Sequence, residues 1–201
     1  MKSKINKILS DIQSKKDELR VEYAKLKEKY GFKVEWRKII FNTETKEKNK
    51  FFKKPILETI FTAEVREILS IPFIYSMVIP TLIFDVFLFI YQQTAFRLYK
   101  IPLVRRRDYL IYDRKTLDYL NVLQKFNCIY CSYVNWIFQY AVEIGWRTEK
   151  YWCPIKNARK KLGEHSWEQE FADFGDVETF KKAFHSVEEF KKLQKKVKRW
   201  K

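Results

Sequence analysis

From Ile71 to Phe96 the chain reads IPFIYSMVIPTLIFDVFLFIYQQTAF, and Asp85 is the only charged residue in it. A run that long and that apolar is near the length a helix needs to cross a hydrocarbon core, roughly 20 residues at 1.5 Å each. The sequence on both sides is dense in lysine and arginine, and the net charge is +16. Such a chain is expected to be bound to a membrane, with most of its mass in water on the cationic side. Only 4 Gly and 5 Pro, with 33% charged and 17% aromatic residues, predict an all-α protein, not a sandwich or a disordered chain.

Two features argue against a plain straight span. Pro72 and Pro80 interrupt the run, and Pro80 removes a helical hydrogen bond near its middle. Five basic residues crowd just beyond it: Arg97, Lys100, Arg105, Arg106 and Arg107. A single span sends a lysine-rich N-terminal helix to the far side. A re-entrant helix–break–helix bent at Pro80, or an interfacial anchor, keeps both flanks on the cationic side; the re-entrant arms are about 10 to 15 residues, each too short to span. Asp85 then sits near the bend, where a carboxylate is costly without a partner. A buried helix of a soluble core is the third reading. The basic, aromatic exit RLYKIPLVRRRDYLIY argues against it, because it has the composition of an interfacial belt.

The rest of the chain divides into an amphipathic helix (1–31), a connector (32–69), the anchor (70–97) and a helical domain with a basic tail (98–201). In the first, Ile5, Leu9, Ile12, Leu19, Tyr23, Leu26 and Tyr30 make one apolar stripe, and Gly31 is the stop. A seven-residue seam is spoiled by Lys15, Glu22 and Lys29, so the helix is expected to dock on its own domain, not to form a coiled coil. Thr43–Lys54 reads as a solvated loop, followed by a short amphipathic helix from Pro55 to Leu69. A long helix is expected from about Thr116 to Trp152, capped by Asp113 or Thr116, with Gly145 its only weak point. Beyond Pro154 come a basic turn, a break at Gly163 and two short helices. Asp176 opens one; Ser186 with Glu189 caps the other, whose end is cationic.

Inside the long helix, Cys128, Ser132, Asn135, Gln139 and Glu143 fall within about 80° of arc, with apolar and aromatic residues around the rest. That composition predicts a buried helix whose narrow polar stripe finds partners on a neighbour or lines a site. Cys128 and Cys131 lie more than two turns into the helix, away from the dipole that activates a redox thiol. No secretory signal is read in Met1–Gln13, so the three cysteines are expected to be inert thiols or metal ligands, not disulfides. A zinc or iron–sulfur site needs about four ligands. Cys153 is the third candidate if the helix folds back at Gly145, and His165 the fourth, with Asp173 or Glu143 behind it. No glycine-rich phosphate loop, HExxH or nucleophile elbow is present, and two histidines give little support to His-based catalysis. The charge suits anionic lipid better than nucleic acid, for which no module is recognisable.

The blocks FNCIYCSYVNW and YAVEIGWRTEKYWCPIKNARK resemble a family of small bacterial membrane-associated proteins that pairs a YCSYxN core with a downstream RTExYWCPIK. The resemblance covers about half of the chain, including the apolar run upstream. It implies a bacterial membrane-associated protein with no assigned activity; the basic flanks set the expected location at the inner membrane, mostly on the cytoplasmic side. Asn157 stands where that pattern has histidine and Trp136 where it has glycine, which removes a possible ligand beside Cys153. Two functions are therefore expected. One is a non-catalytic scaffold that recruits a protein partner to anionic membrane lipids. The other is a membrane-anchored protein that binds a metal or small cofactor through Cys128, Cys131 and Cys153.

Overall fold

The computed structural model describes residues 4–35, 38–159, 162–163 and 165–190. The fold is mostly helical, as expected, with one small hairpin: α1 (Lys4–Lys29), β1 (Phe32–Glu35), β2 (Lys38–Phe41), α2 (Thr43–Phe51), α3 (Ile56–Phe61), α4 (Val65–Ser76), α5 (Val78–Leu98), α6 (Val122–Trp152) and α7 (Val177–Ala183). It forms two compact units, each assembled from separate stretches of chain. One comprises Met1–Met77 with Leu110–Val134, the other Val78–Tyr109 with Asn135–Lys201. The cationic end expected beyond Phe190 lies outside the described residues, as do Lys160 and Lys161 of the basic turn.

In the first unit α1 stops where expected. Gly31 adopts φ +59°, and a Cβ there would meet the Asn42 side chain at 2.4 Å. Among the described residues its stripe is only partly covered, with Ile12 and Leu26 half-buried. Leu19 and Tyr23 are 56% and 63% exposed, because the lysines that interrupt the stripe leave no face apolar enough to bury. After Gly31 the chain turns into an antiparallel hairpin that pairs Phe32 with Phe41 and Glu35 with Lys38.

The expected loop at Thr43–Lys54 is instead mostly helix. Asn42 Oδ1 accepts the Thr45 N–H at 2.9 Å, and Glu44 pairs with Lys48 one turn on. The expected helix from Pro55 to Leu69 is two helices. The second starts afresh because Glu64 and Glu67 form a reciprocal capping box. α6 starts at Val122, six residues later than expected from Thr116, for the same kind of reason. Asn121 Oδ1 accepts from the Gln124 N–H at 2.9 Å while Gln124 Oε1 accepts from the Asn121 N–H at 3.0 Å. Asn121 is buried and donates to Thr59 Oγ1 at 2.7 Å, which ties the start of α6 to α3.

Pro72 sits inside α4 without ending it. The break comes at Met77, directly after Ser76, whose carbonyl is four residues before Pro80. That ring offers Ser76 no N–H and clashes with its carbonyl, so the first helix stops there and Pro80 falls in the opening turn of the next. α5 is then 21 residues long, about 31 Å, longer than the arm expected of a re-entrant hairpin. Counted through the turn, Val65–Leu98 is the one helix among the described residues that is long and apolar enough to cross a membrane, and only 11% of its most apolar stretch is buried.

The second unit holds most of the buried aromatic core. Phe96, Ile137, Tyr140, Ile144 and Phe190 are almost wholly enclosed. α6 supplies one wall, and the chain beyond Pro154 wraps it, bridging Ile155 to Ala172. Asp176 caps α7 as expected, accepting the Thr179 N–H at 3.0 Å. Ser186 accepts the Glu189 N–H at 3.5 Å, half of the expected box. The Glu189 carboxylate goes instead to Lys150, an almost wholly buried amine, at 2.6 Å.

Candidate functional site

α5 is turned inside out compared with a water-soluble helix. Thr81, Asp85, Leu88, Gln92 and Phe96 recur at spacings of four and three and form its inward seam, within about 80° of arc. Three of those five are polar. The opposite face carries Ile79, Ile83, Val86, Phe87 and Ile90, all exposed, Phe87 by 66%. A helix that hides its polar groups and shows its apolar ones is built for apolar surroundings.

The seam is covered by the extended chain that follows. A left-handed residue, Lys100 at φ +57°, ends α5, and the Ile101 N–H donates to Phe96 O at 2.7 Å. From there the backbone runs back along the helix. Gln92 Oε1 accepts the Val104 N–H at 2.7 Å, and its Nε2 donates to Val104 O at 3.3 Å and to the Tyr140 hydroxyl at 2.8 Å. Further along, an Arg106 terminal nitrogen donates to Asp85 Oδ1 at 2.6 Å, and the guanidinium lies over the Trp136 ring. Trp136 Nε1 donates in turn to Arg106 O at 3.0 Å.

Asp85 thus has the partner that its position demands, and Arg106, expected with its neighbours in a lipid-facing belt, is committed to it. Arg97, Lys100, Arg105 and Arg107 remain exposed. The two partners differ in burial: the Asp85 side chain is 14% exposed and that of Arg106 41%. Arg106→Leu strands a mostly buried carboxylate and is expected to cost about 2 kcal/mol, whereas Asp85→Leu leaves a cation that reaches water and costs less. The double variant should fall within about 1 kcal/mol of the parent. Thermal unfolding of the four proteins measures the cycle. Strictly additive losses would mean that the two groups do not interact.

The thiols are not assembled. α6 runs through Gly145 without a break, Cys128 is half-buried, Cys131 and Cys153 are exposed, and none is in a disulfide. Among the described residues no group of three or more His, Cys, Asp or Glu side chains is placed to hold a metal ion. The polar stripe is not buried as a unit either: Ser132 is half-buried, Asn135 and Gln139 are exposed, and only Glu143 is enclosed.

Glu143 instead centres a charged network that sequence reasoning caught only in part. It is 6% exposed. Its Oε1 accepts from Arg147 Nε at 2.8 Å and Trp167 Nε1 at 3.1 Å, and its Oε2 lies 2.9 Å from His165 Nε2. The Tyr109 hydroxyl is also bonded to it. Arg147 donates a second bond to Pro102 O at 2.6 Å, which ties the return segment to α6. His165 stacks on Trp146, and its Nδ1 accepts the Trp167 N–H at 3.2 Å. Burial pushes the Glu143 carboxyl upward, but hydrogen bonds and charge from His165 and Arg147 outweigh it and hold the group at about 2. Burial, with the nearby Glu143 charge, raises the Tyr109 phenol. His165 is therefore engaged by Glu143, and Asp173 by the buried Lys156 at 2.6 Å. The i, i+4 spacing of Glu143 and Arg147 was the available signal.

No protein-family model, curated protein or solved structure matches the chain.

Proposed function

We propose that the chain is a membrane-anchored, non-catalytic scaffold working on the cytoplasmic face of an anionic bacterial membrane. The inverted polarity of α5 carries this reading: the Asp85 carboxylate, the Gln92 amide and the Thr81 hydroxyl turn inward while an apolar surface faces out. The exposed cations Arg97, Lys100, Arg105 and Arg107 supply attraction to anionic headgroups, each worth about 1 kcal/mol near the surface. The stripe of α1 is then the arm that recruits a protein partner, because Leu19 and Tyr23 stand exposed on it.

Vesicle flotation of the full chain tests the lipid half of the proposal. Arg105→Gln with Arg107→Gln removes two exposed cations and should weaken binding to phosphatidylglycerol-containing vesicles about 30-fold, leaving neutral vesicles nearly unchanged. Arg106 stays intact, because changing it disturbs the pair with Asp85. Equal losses on both lipids would assign the two arginines to the fold and sink their role in reading lipid charge.

A further inference from the structure

The return segment constrains how an anchored α5 can lie. From Phe96 back to Asp85 the helix covers 11 residues, about 16 Å. From Ile101 to Arg106 the extended chain covers five residues, about 17 Å. The two lengths agree, and the intermediate contact of Gln92 with Val104 falls between them, so residues 101–106 run antiparallel to α5 along its seam. Among the described residues this segment has no strand beside it; Arg105 stands exposed on it, and Arg107 stands exposed just beyond the paired Arg106, in the short 3-10 turn Arg106–Asp108.

A crossing by α5 alone conflicts with such a companion. α5 is about as long as a hydrocarbon core is thick, so crossing uses its whole length. The Asp85 level then lies about 10 Å inside the Val78 end. Two exposed guanidinium groups and an extended backbone with no ladder would stand against lipid tails at that depth. Laid flat, the same element has no conflict. The apolar face meets acyl chains, and the return segment lies on the opposite side, among headgroups.

We infer that α5 lies in the plane of the membrane, embedded in a single leaflet by the face carrying Ile79, Ile83, Val86, Phe87 and Ile90, with Arg105 and Arg107 meeting anionic lipid phosphates above it. The inference rests on the anchoring proposed above and fixes its geometry. The occupant of the apolar face is lipid, because the cations lie on the side of α5 away from that face, the order in which a leaflet presents its headgroups and tails.

Depth measurement in vesicles tests it. A nitroxide is attached to p-acetylphenylalanine placed singly at Ile79, Ile83, Phe87, Ile90 or Arg105 of the full chain. Collisions with oxygen and with a water-soluble nickel chelate then report depth in vesicles of phosphatidylcholine and phosphatidylglycerol. The expected result is a flat profile: the four helix positions about equally deep, some 5–10 Å below the headgroups, and Arg105 open to the chelate. A profile that deepens to the bilayer centre at Phe87 and Ile90, with Ile79 near the headgroups, would mean crossing; it overturns the inference and leaves anchoring intact. Chelate access at all five positions would remove anchoring as well. Shielding of the helix positions from both reagents, with dipolar broadening between labelled chains, would put a second copy on the apolar face and also overturn the inference.

Discussion

Glu143→Leu lowers the unfolding free energy by about 3–5 kcal/mol, the range for removing one partner of a buried ionic network. The substitution leaves Arg147 Nε, His165 Nε2 and Trp167 Nε1 facing a hydrocarbon side chain where each had a carboxylate oxygen. Arg147→Leu costs a similar amount, because the buried carboxylate loses its guanidinium partner and Pro102 O loses that donor. The pair of substitutions costs less than the sum of the two. Urea unfolding in detergent measures the stabilities, and amide exchange over residues 165–170 reports whether the wrapped segment loosens first. A loss under about 1 kcal/mol for both single variants would remove the network from the list of what holds the second unit together.

Acid should act through the same carboxyl. Its value in the folded protein, about 2, lies below the ordinary 4.5, so the unfolded chain binds the proton more readily. Stability from this group is fully present above about pH 4.5 and is lost as pH falls towards 2, by an amount on the order of 3 kcal/mol. Other carboxylates titrate in the same window, so the informative quantity is the gap between the parent and Glu143→Gln. That gap is expected to be wide at pH 6 and to close between pH 4.5 and 2. A constant gap over that range would show that ionisation of Glu143 contributes nothing to the fold.

What could be read from the sequence follows the range of the interactions involved. The long apolar helix, the stop at Gly31, the end of α6 at Trp152 and the cap at Asp176 are written in neighbouring residues, so composition and spacing suffice to find them. The hairpin was not legible: FKVE and KIIF mix charge with apolar residues and lack clean alternation. α2 was missed because its content is almost wholly charged. What makes it a helix is one asparagine and an ion pair, not a stripe. The partner of Asp85 lies 21 residues away on a segment with three equivalent arginines, and no local pattern selects among them. Glu143 was placed correctly on the inner side of α6, and its nearness to His165 was anticipated as part of a ligand set. The network differs from that expectation because Arg147 and Trp167 donate to one carboxylate oxygen and His165 faces the other, so the group is engaged within the fold.

Three arginines in a row are an ambiguous address. Any of them could neutralise Asp85, and a shift of the return segment by one or two residues would exchange one for another at no chemical cost. Gln92 resolves the ambiguity. Its amide takes both the N–H and the C=O of Val104, as a neighbouring strand would, so a single side chain stands in for a missing rung of sheet. With Val104 fixed, alternation of the extended chain directs Arg105 outward and Arg106 inward, and the short 3-10 turn Arg106–Asp108 that follows leaves Arg107 exposed. One glutamine thereby decides which of three identical side chains serves the protein's interior and which two serve its surroundings.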